Sequence, residues 1–234
     1  MANVREHVCY VGLVYKVDPN RPTDRRVCCG AQMFLQTGEG VVFRGHLRPW
    51  DSARKGEHHL DRETARALMQ EVVESYKAEL SRPPKELFIH GMTRFMDREW
   101  EGFVKGAVGV RDLTAVQFRD ATTTVPGVHN VLRGTAIKAS DTDAYLWTKG
   151  FVPRLQTYPG WEVPNPLKIS VHRGAAELET VLNDVIGLTK LNFNSCIYGD
   201  GVPVTLRFAG AIGEILTAGP FPDKLKPLPF KHYI

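Results

Sequence analysis

Between Asp61 and the Pro83-Pro84 pair, the apolar residues Ala65, Leu68, Met69, Val72, Val73, Tyr76 and Leu80 recur at the three- and four-residue spacing of a single helix face. Asp61 is a residue type that accepts hydrogen bonds from the first free amides of a helix, and the double proline cannot continue one. A helix of this length with one apolar stripe has to lie on something. The preceding residues provide it in three β-rich runs, VCYVGLVYKV at 8–17, VCCGAQMFLQ at 27–36 and VVFRG at 41–45. The turn-prone segments DPNRPTDRR and TGEG separate them, so the three are expected to form an antiparallel meander.

After the helix comes a short apolar strand at 87–90 that runs into Gly91. A second helix, opened by Asp97, would bury Trp100, Phe103 and Val104, and a strand at 113–119 follows it. The order β-β-β-α-β-α-β, with the period switching between 2 and 3.6, is that of the ribonuclease H-like fold. The chain is therefore expected to be α/β, a mixed β-sheet flanked by α-helices. Residues 121–171 are rich in Pro and Gly, with β-like pieces at 144–147 and 168–172, and should add strands and loops to the edge of the sheet. Helices at 176–191 and from Pro203 to a point before Gly219-Pro220 close the chain, with NFNSCIYGDG between them.

With 234 residues, 43% of them hydrophobic, residues 1–234 can bury the core of one domain. No apolar run reaches the roughly 18 residues that a membrane span needs, and MANVREHVCY lacks the apolar centre of a signal peptide, so a cytoplasmic protein is expected. Cys9, Cys28, Cys29 and Cys196 fit neither a disulfide framework nor a zinc motif and read as buried thiols. The net charge of +4 is compatible with a polyanionic partner without requiring one. Glu57-His58-His59-Leu60-Asp61 has metal-ligating residue types, but adjacent histidines diverge, and the segment reads as a solvated loop. Asp184 reads as a helix-surface charge and Asp200 as a turn residue.

Taken in order, the segments GLVYK, AQMFL, GVVFRG, ELFIHG, RLQTYPG, VPNPLKI, LTKLNFN, PVTLRFA and the terminal HYI resemble the PIWI domain of prokaryotic Argonautes, most of all the short Argonautes built of a MID and a PIWI domain. The resemblance spans nearly the whole chain. It implies a MID domain on another chain or in a segment not included in these residues, and a C-terminal tail, 219–234, that docks toward it.

In cleaving Argonautes the resemblance implies carboxylates on the first strand, at the end of the fourth and on the last helix, plus a glutamate finger, which together hold two magnesium ions. Here those positions fall at or near Val14, Gly91 and Gly210, none of which can bind a metal. Asp18 lies roughly 13 Å beyond Val14 at about 3.3 Å per strand residue, and Asp97 already belongs to the next helix. Glu214, one turn from Gly210, is the only near substitute. The expectation is a domain that does not cut; the alternative is an active metal-dependent endonuclease with displaced ligands. A third possibility is a structural partner that binds no nucleic acid.

For binding, Lys190, Asn192, Asn194 and Arg207 surround the start of the Pro203 helix, where free amides and the helix dipole favour phosphate. The resemblance implies guide-backbone contacts there. It further implies that the terminal carboxylate of Ile234, with Lys231 nearby, helps hold a Mg2+ on the 5′ phosphate of the guide. Arg154 and Arg173, with Arg133 and Lys149, are candidates to line the duplex channel. The implied partners are a guide RNA (or DNA), a complementary target DNA, and an effector with an APAZ domain fused to TIR, Sir2 or a nuclease, acting in defence against plasmids and phage.

Overall fold

The computed structural model describes residues 5–17, 27–34, 40–46, 57–121, 131–157, 164–191 and 201–217, with the backbone alone for 17, 27–34, 40–46 and 216–217. Among the described residues, eight strands form one sheet: β1 (Val8–Val17), β2 (Val27–Phe34), β3 (Gly40–His46), β4 (Glu86–Gly91), β5 (Asp112–Asp120), β6 (Ala136–Lys138), β7 (Asp143–Leu146) and β8 (Leu167–Arg173). Their order across the sheet is β3-β2-β1-β4-β5-β8-β7-β6. The first three pair antiparallel as the expected meander, while β1, β4 and β5 run parallel. This is the ribonuclease H-like sheet, and residues 136–173 extend its edge beyond β5, as the sequence suggested.

Helices α1 (Arg62–Leu80) and α2 (Asp97–Gly106) cover one face; α3 (Leu178–Leu188) and α4 (Val204–Thr217) cover the other. Strand alternation divides β1 between them: Cys9, Val11 and Leu13 pack with α1 and α2, whereas Val8, Tyr10 and Val14 pack with α3 and α4. Asp61 caps α1 as expected, accepting from the amides of Glu63 and Thr64 at 3.0 and 2.9 Å, a contribution of about 1 kcal/mol. The helix ends at Ser81 in the left-handed conformation, two residues before the prolines.

Three local readings change. The buried face of α2 is Glu99, Gly102, Phe103 and Gly106, and Val104 is exposed. The reason is the approach of α1: a Cβ on Gly102 would meet Arg62 O at 2.4 Å, and one on Gly106 would meet Arg66 O at 2.4 Å. Glycines set this face because only they let the two backbones come so close. The segment 57–61 is not a solvated loop either. His59 and Leu60 are buried, and the Leu60 amide donates to the buried Glu99 carboxylate at 2.9 Å, which also accepts from the Tyr15 hydroxyl at 2.7 Å. Asp184, read as a surface charge, is buried and accepts from Nε and Nη2 of Arg5, which bridges to Glu86 at 2.8 Å. Carboxylates inside a protein need such partners, and sequence spacing gave no sign of them.

Candidate nucleic-acid interface

Helix α4 lies lengthwise on β1. A Cβ on Gly12 would meet Thr205 O at 2.1 Å, and one on Gly213 would meet Lys16 Cγ at 2.7 Å, so helix and strand run in the same direction. Gly12 is required by that contact: no side chain fits between this strand and this helix.

The α4-facing residues of β1 are thus Gly12, Val14 and Lys16, and on β4 the last is His90, whose Nδ1 lies 2.9 Å from Thr205 Oγ1. Gly91 faces the other way. It is paired with Leu13, belongs to the α1–α2 side, and a Cβ there would meet the Phe95 ring at 2.8 Å. Carboxylates at 14 and 91 could not converge on one ion, because strand neighbours of opposite parity point to opposite faces. Gly210 on α4 has open space beside it. Glu214, the near substitute, forms an ion pair with Lys16 at 3.0 Å, and Asp18 lies outside the described residues. Among the described residues no group of three or more His, Cys, Asp or Glu side chains is placed to hold a metal ion.

His90 is fully enclosed, edge-on to Phe118 at 5.1 Å. Burial lowers its pKa to about 3, so the ring is neutral at physiological pH.

Basic residues gather at one corner on this same side. Lys190 follows the end of α3 and is exposed; Arg207 is exposed in the first turn of α4, whose Leu206 and Arg207 amides donate to Pro203 O at 3.0 and 3.1 Å. Lys149, for which the sequence gave no orientation, joins them. A Cβ on Gly201 would lie 3.6 Å from Lys149 Nζ, and the preceding Thr148 hydroxyl donates to Gly201 O at 2.6 Å. Arg133 fastens this turn, donating from Nε to Thr148 O and from Nη2 to Thr189 Oγ1, both at 2.9 Å. Its guanidinium is a strut of the corner rather than a lining of a channel. Arg154 is exposed on the turn Pro153–Leu155, and no contact among the described residues joins it to the corner. Arg173 is on the opposite face, paired with Asp97. Asn192, Asn194, Lys231 and Ile234, with the tail 219–234 and Asp200, lie outside the described residues.

The corner can hold an oxyanion: three exposed cations lie at a helix start whose dipole favours negative charge. No helix of the described residues is long and apolar enough to cross a membrane.

No protein-family model and no curated protein matches the chain. Solved structures do. The chain is similar to Clostridium butyricum Argonaute bound to a guide DNA and a 19-mer target DNA, with 16% identity over 89% of this chain and 27% of that one, at a TM-score of 0.65. Marinitoga piezophila Argonaute in complex with 5′-OH guide RNA and target DNA gives 13% identity over 91% and 30%, with a TM-score of 0.65. A. aeolicus Argonaute gives 14% over 94% and 30%, with a TM-score of 0.61. The chain spans less than a third of the length of each. The fold is the ribonuclease H-like fold of the Argonaute PIWI domain.

Proposed function

We propose that the chain is the guide-holding part of an Argonaute that binds without cutting. It would hold a short 5′-phosphorylated guide, an RNA in our reading, and recognise a complementary single-stranded DNA. The observation that carries this is the corner of Lys149, Lys190 and Arg207 at the start of α4, on a fold shared with Argonautes whose structures contain guide and target strands. Base pairing would supply sequence specificity, while the protein reads phosphates and helical geometry.

The absence of cutting rests on residue identity. The side chains that face α4 at the ends of β1 and β4 are Val14, Lys16 and His90, and none is a carboxylate. Two magnesium ions need several carboxylate oxygens, and Glu214 is already neutralised by Lys16. In this reading the killing activity belongs to a partner effector, an APAZ protein carrying TIR, Sir2 or nuclease chemistry, and target capture is its trigger in defence against plasmids or phage. A MID domain would complete the grip on the guide. The terminal carboxylate of Ile234 would hold a Mg2+ on the 5′ phosphate, which Lys231 would contact directly, so chelation should weaken guide binding.

The test is a salt titration of binding to a 5′-phosphorylated RNA of guide length, with labelled complementary DNA and Mg2+ or Mn2+ present, run with and without a MID-bearing partner. Salt-sensitive binding with intact DNA is expected, and Lys190→Glu with Arg207→Glu should abolish it. Cleaved DNA would overturn the non-cutting reading, and absence of binding by the wild type under every condition would leave a structural role.

A further inference from the structure

Past the edge of α2, the α1–α2 side of the sheet carries a different kind of surface. The cluster packed under those helices takes residues from β1, β4 and β5 but none from β7 or β8, so the outward residues of β8 there, Lys168 and His172, are only half-buried. Arg119 projects from β5 on this face, two residues beyond the buried Gln117, and Arg94 reaches it from the loop after β4. In the amide orientation that satisfies both its ends, the Gln117 oxygen accepts from Arg119 Nε and Nη2 at 3.1 Å and from the Arg94 amide at 3.2 Å. That places the Arg119 guanidinium beside the backbone of Arg94.

Arg173 enters from the end of β8, held by Phe95 O and Asp97. The convergence is visible in His172, whose pKa is lowered by burial and then by the charges of Arg173, Arg94 and Arg119. Two carboxylates answer this charge: Asp97 pairs with Arg173, and Asp143 lies 3.5 Å from Lys168. Neither Arg94 nor Arg119 has a carboxylate partner among the described residues, and both are exposed.

We infer that this open face of β5 and β8 is a second phosphate-backbone site, in which Arg94 and Arg119 grip a nucleic-acid strand on the side of the sheet opposite the α4 corner. A phosphodiester strand fits because guanidinium forks bind its oxygens in pairs and the local excess charge is positive. The two surfaces cannot serve the same stretch of backbone, since the sheet separates them. With the guide at the α4 corner, the strand held here is the target or its flank. This assignment to the target rests on the guide reading above; the phosphate site itself does not.

The experiment compares wild type, Arg94→Glu with Arg119→Glu, and Arg94→Lys with Arg119→Lys, in the full chain with its MID-bearing partner. Two affinities are read across a salt series: for 5′-phosphorylated guide RNA, and for a labelled complementary single-stranded DNA added to the loaded complex. The glutamate variant should keep guide affinity within about twofold and lose at least tenfold in DNA capture, with its salt slope smaller by about 1.4 for two single-strand phosphate contacts. The lysine variant should restore most of the capture, which a merely structural role of Gln117 and its partners would not do. Unchanged DNA capture in the glutamate variant overturns the site while leaving the guide reading intact. If the wild type binds no guide but binds single-stranded DNA in a manner the glutamate variant loses, the site stands and the guide reading falls. Loss of both affinities together with a lowered melting temperature in either variant would also overturn it, since the arginines would then be structural.

Discussion

On both sides of the sheet, enclosed and exposed polar groups behave in opposite ways. Under α4, His90 is closed against Thr205, and beside α3 Asp184 is closed against Arg5. Under α1 and α2 the same rule holds for Glu99, which gathers the Leu60 amide and the Tyr15 hydroxyl. Beyond α2, over β5 and β8, Arg94 and Arg119 stand in solvent with no carboxylate partner among the described residues. The physical difference is burial. An enclosed polar group must find its partner within the fold or cost several kcal/mol, whereas an exposed guanidinium keeps its water and can exchange it for a ligand. Closed pairs therefore report on stability, and open cations report on binding.

The comparison breaks most visibly where a closed contact is filled. Gly12→Ala places a methyl 2.1 Å from the Thr205 carbonyl, a backbone atom that cannot swing aside. We expect a loss of about 3 kcal/mol or more in urea unfolding, the upper end of overpacking penalties, with α4 lifted from β1. A near-native midpoint would mean that α4 does not lie where its contacts with β1 place it. Next in size is Glu99→Ala, which removes the acceptor of a buried amide and of Tyr15 on one helix face. A loss of about 3 kcal/mol is expected, because a buried donor left without its partner forfeits its full desolvation. Unchanged stability would mean that water replaces the carboxylate.

His90 sharpens the comparison through pH. Its folded pKa is near 3, while in the unfolded chain it returns to the ordinary value of 6.5. Between those values the unfolded state binds more protons, so stability is fully present above about 6.5 and falls as pH drops toward 3. The slope is about 1.4 kcal/mol per pH unit, or roughly 2 kcal/mol by pH 5. His90→Gln, which offers Thr205 an amide in place of the ring, should remove this component. Unfolding midpoints at pH 7 and pH 5 for the two proteins check it; parallel losses would show that His90 is not the group responsible.

Much of this arrangement was legible in the sequence. The meander, the Asp61 cap of α1, the β4-α2-β5 succession and the edge additions follow from local periodicity and turn chemistry, which act within a few residues. The face of α2 was legible only in part: Phe103 is buried and Trp100 packs against the core as expected, but Val104 is exposed, because the contact with α1 is decided by backbone proximity at Gly102 and Gly106. The facing of Gly91 depends on its pairing with Leu13, a relation between distant segments that no motif states. Lys149 had the right chemistry and no address until the turn after β7 was seen fastened to Gly201 and Thr189. Arg94 and Arg119 were missed altogether; the alternation of Gln117 and Arg119 on one face of a strand otherwise buried was the available signal.

The smallest expected effect is at the Lys16–Glu214 pair, and it separates two readings of the α4 side. The pair is 3.0 Å long, and its carboxylate is 72% exposed. Exposed pairs contribute about 0–1 kcal/mol, so Glu214→Ala should shift the unfolding midpoint only slightly and less still at high salt. If Glu214 is only the counter-charge of Lys16, the same variant should leave target DNA as intact as the wild type does in Mg2+ or Mn2+. If instead the chain were an endonuclease with displaced ligands, Glu214 would be the one α4 carboxylate near the end of β1 able to serve, and its removal would abolish cleavage at unchanged stability. A closed surface pair and a metal ligand thus look alike in a melting curve and differ only in the nuclease assay, which makes the doubly measured Glu214→Ala the sharpest single probe of whether this side of the sheet is structural.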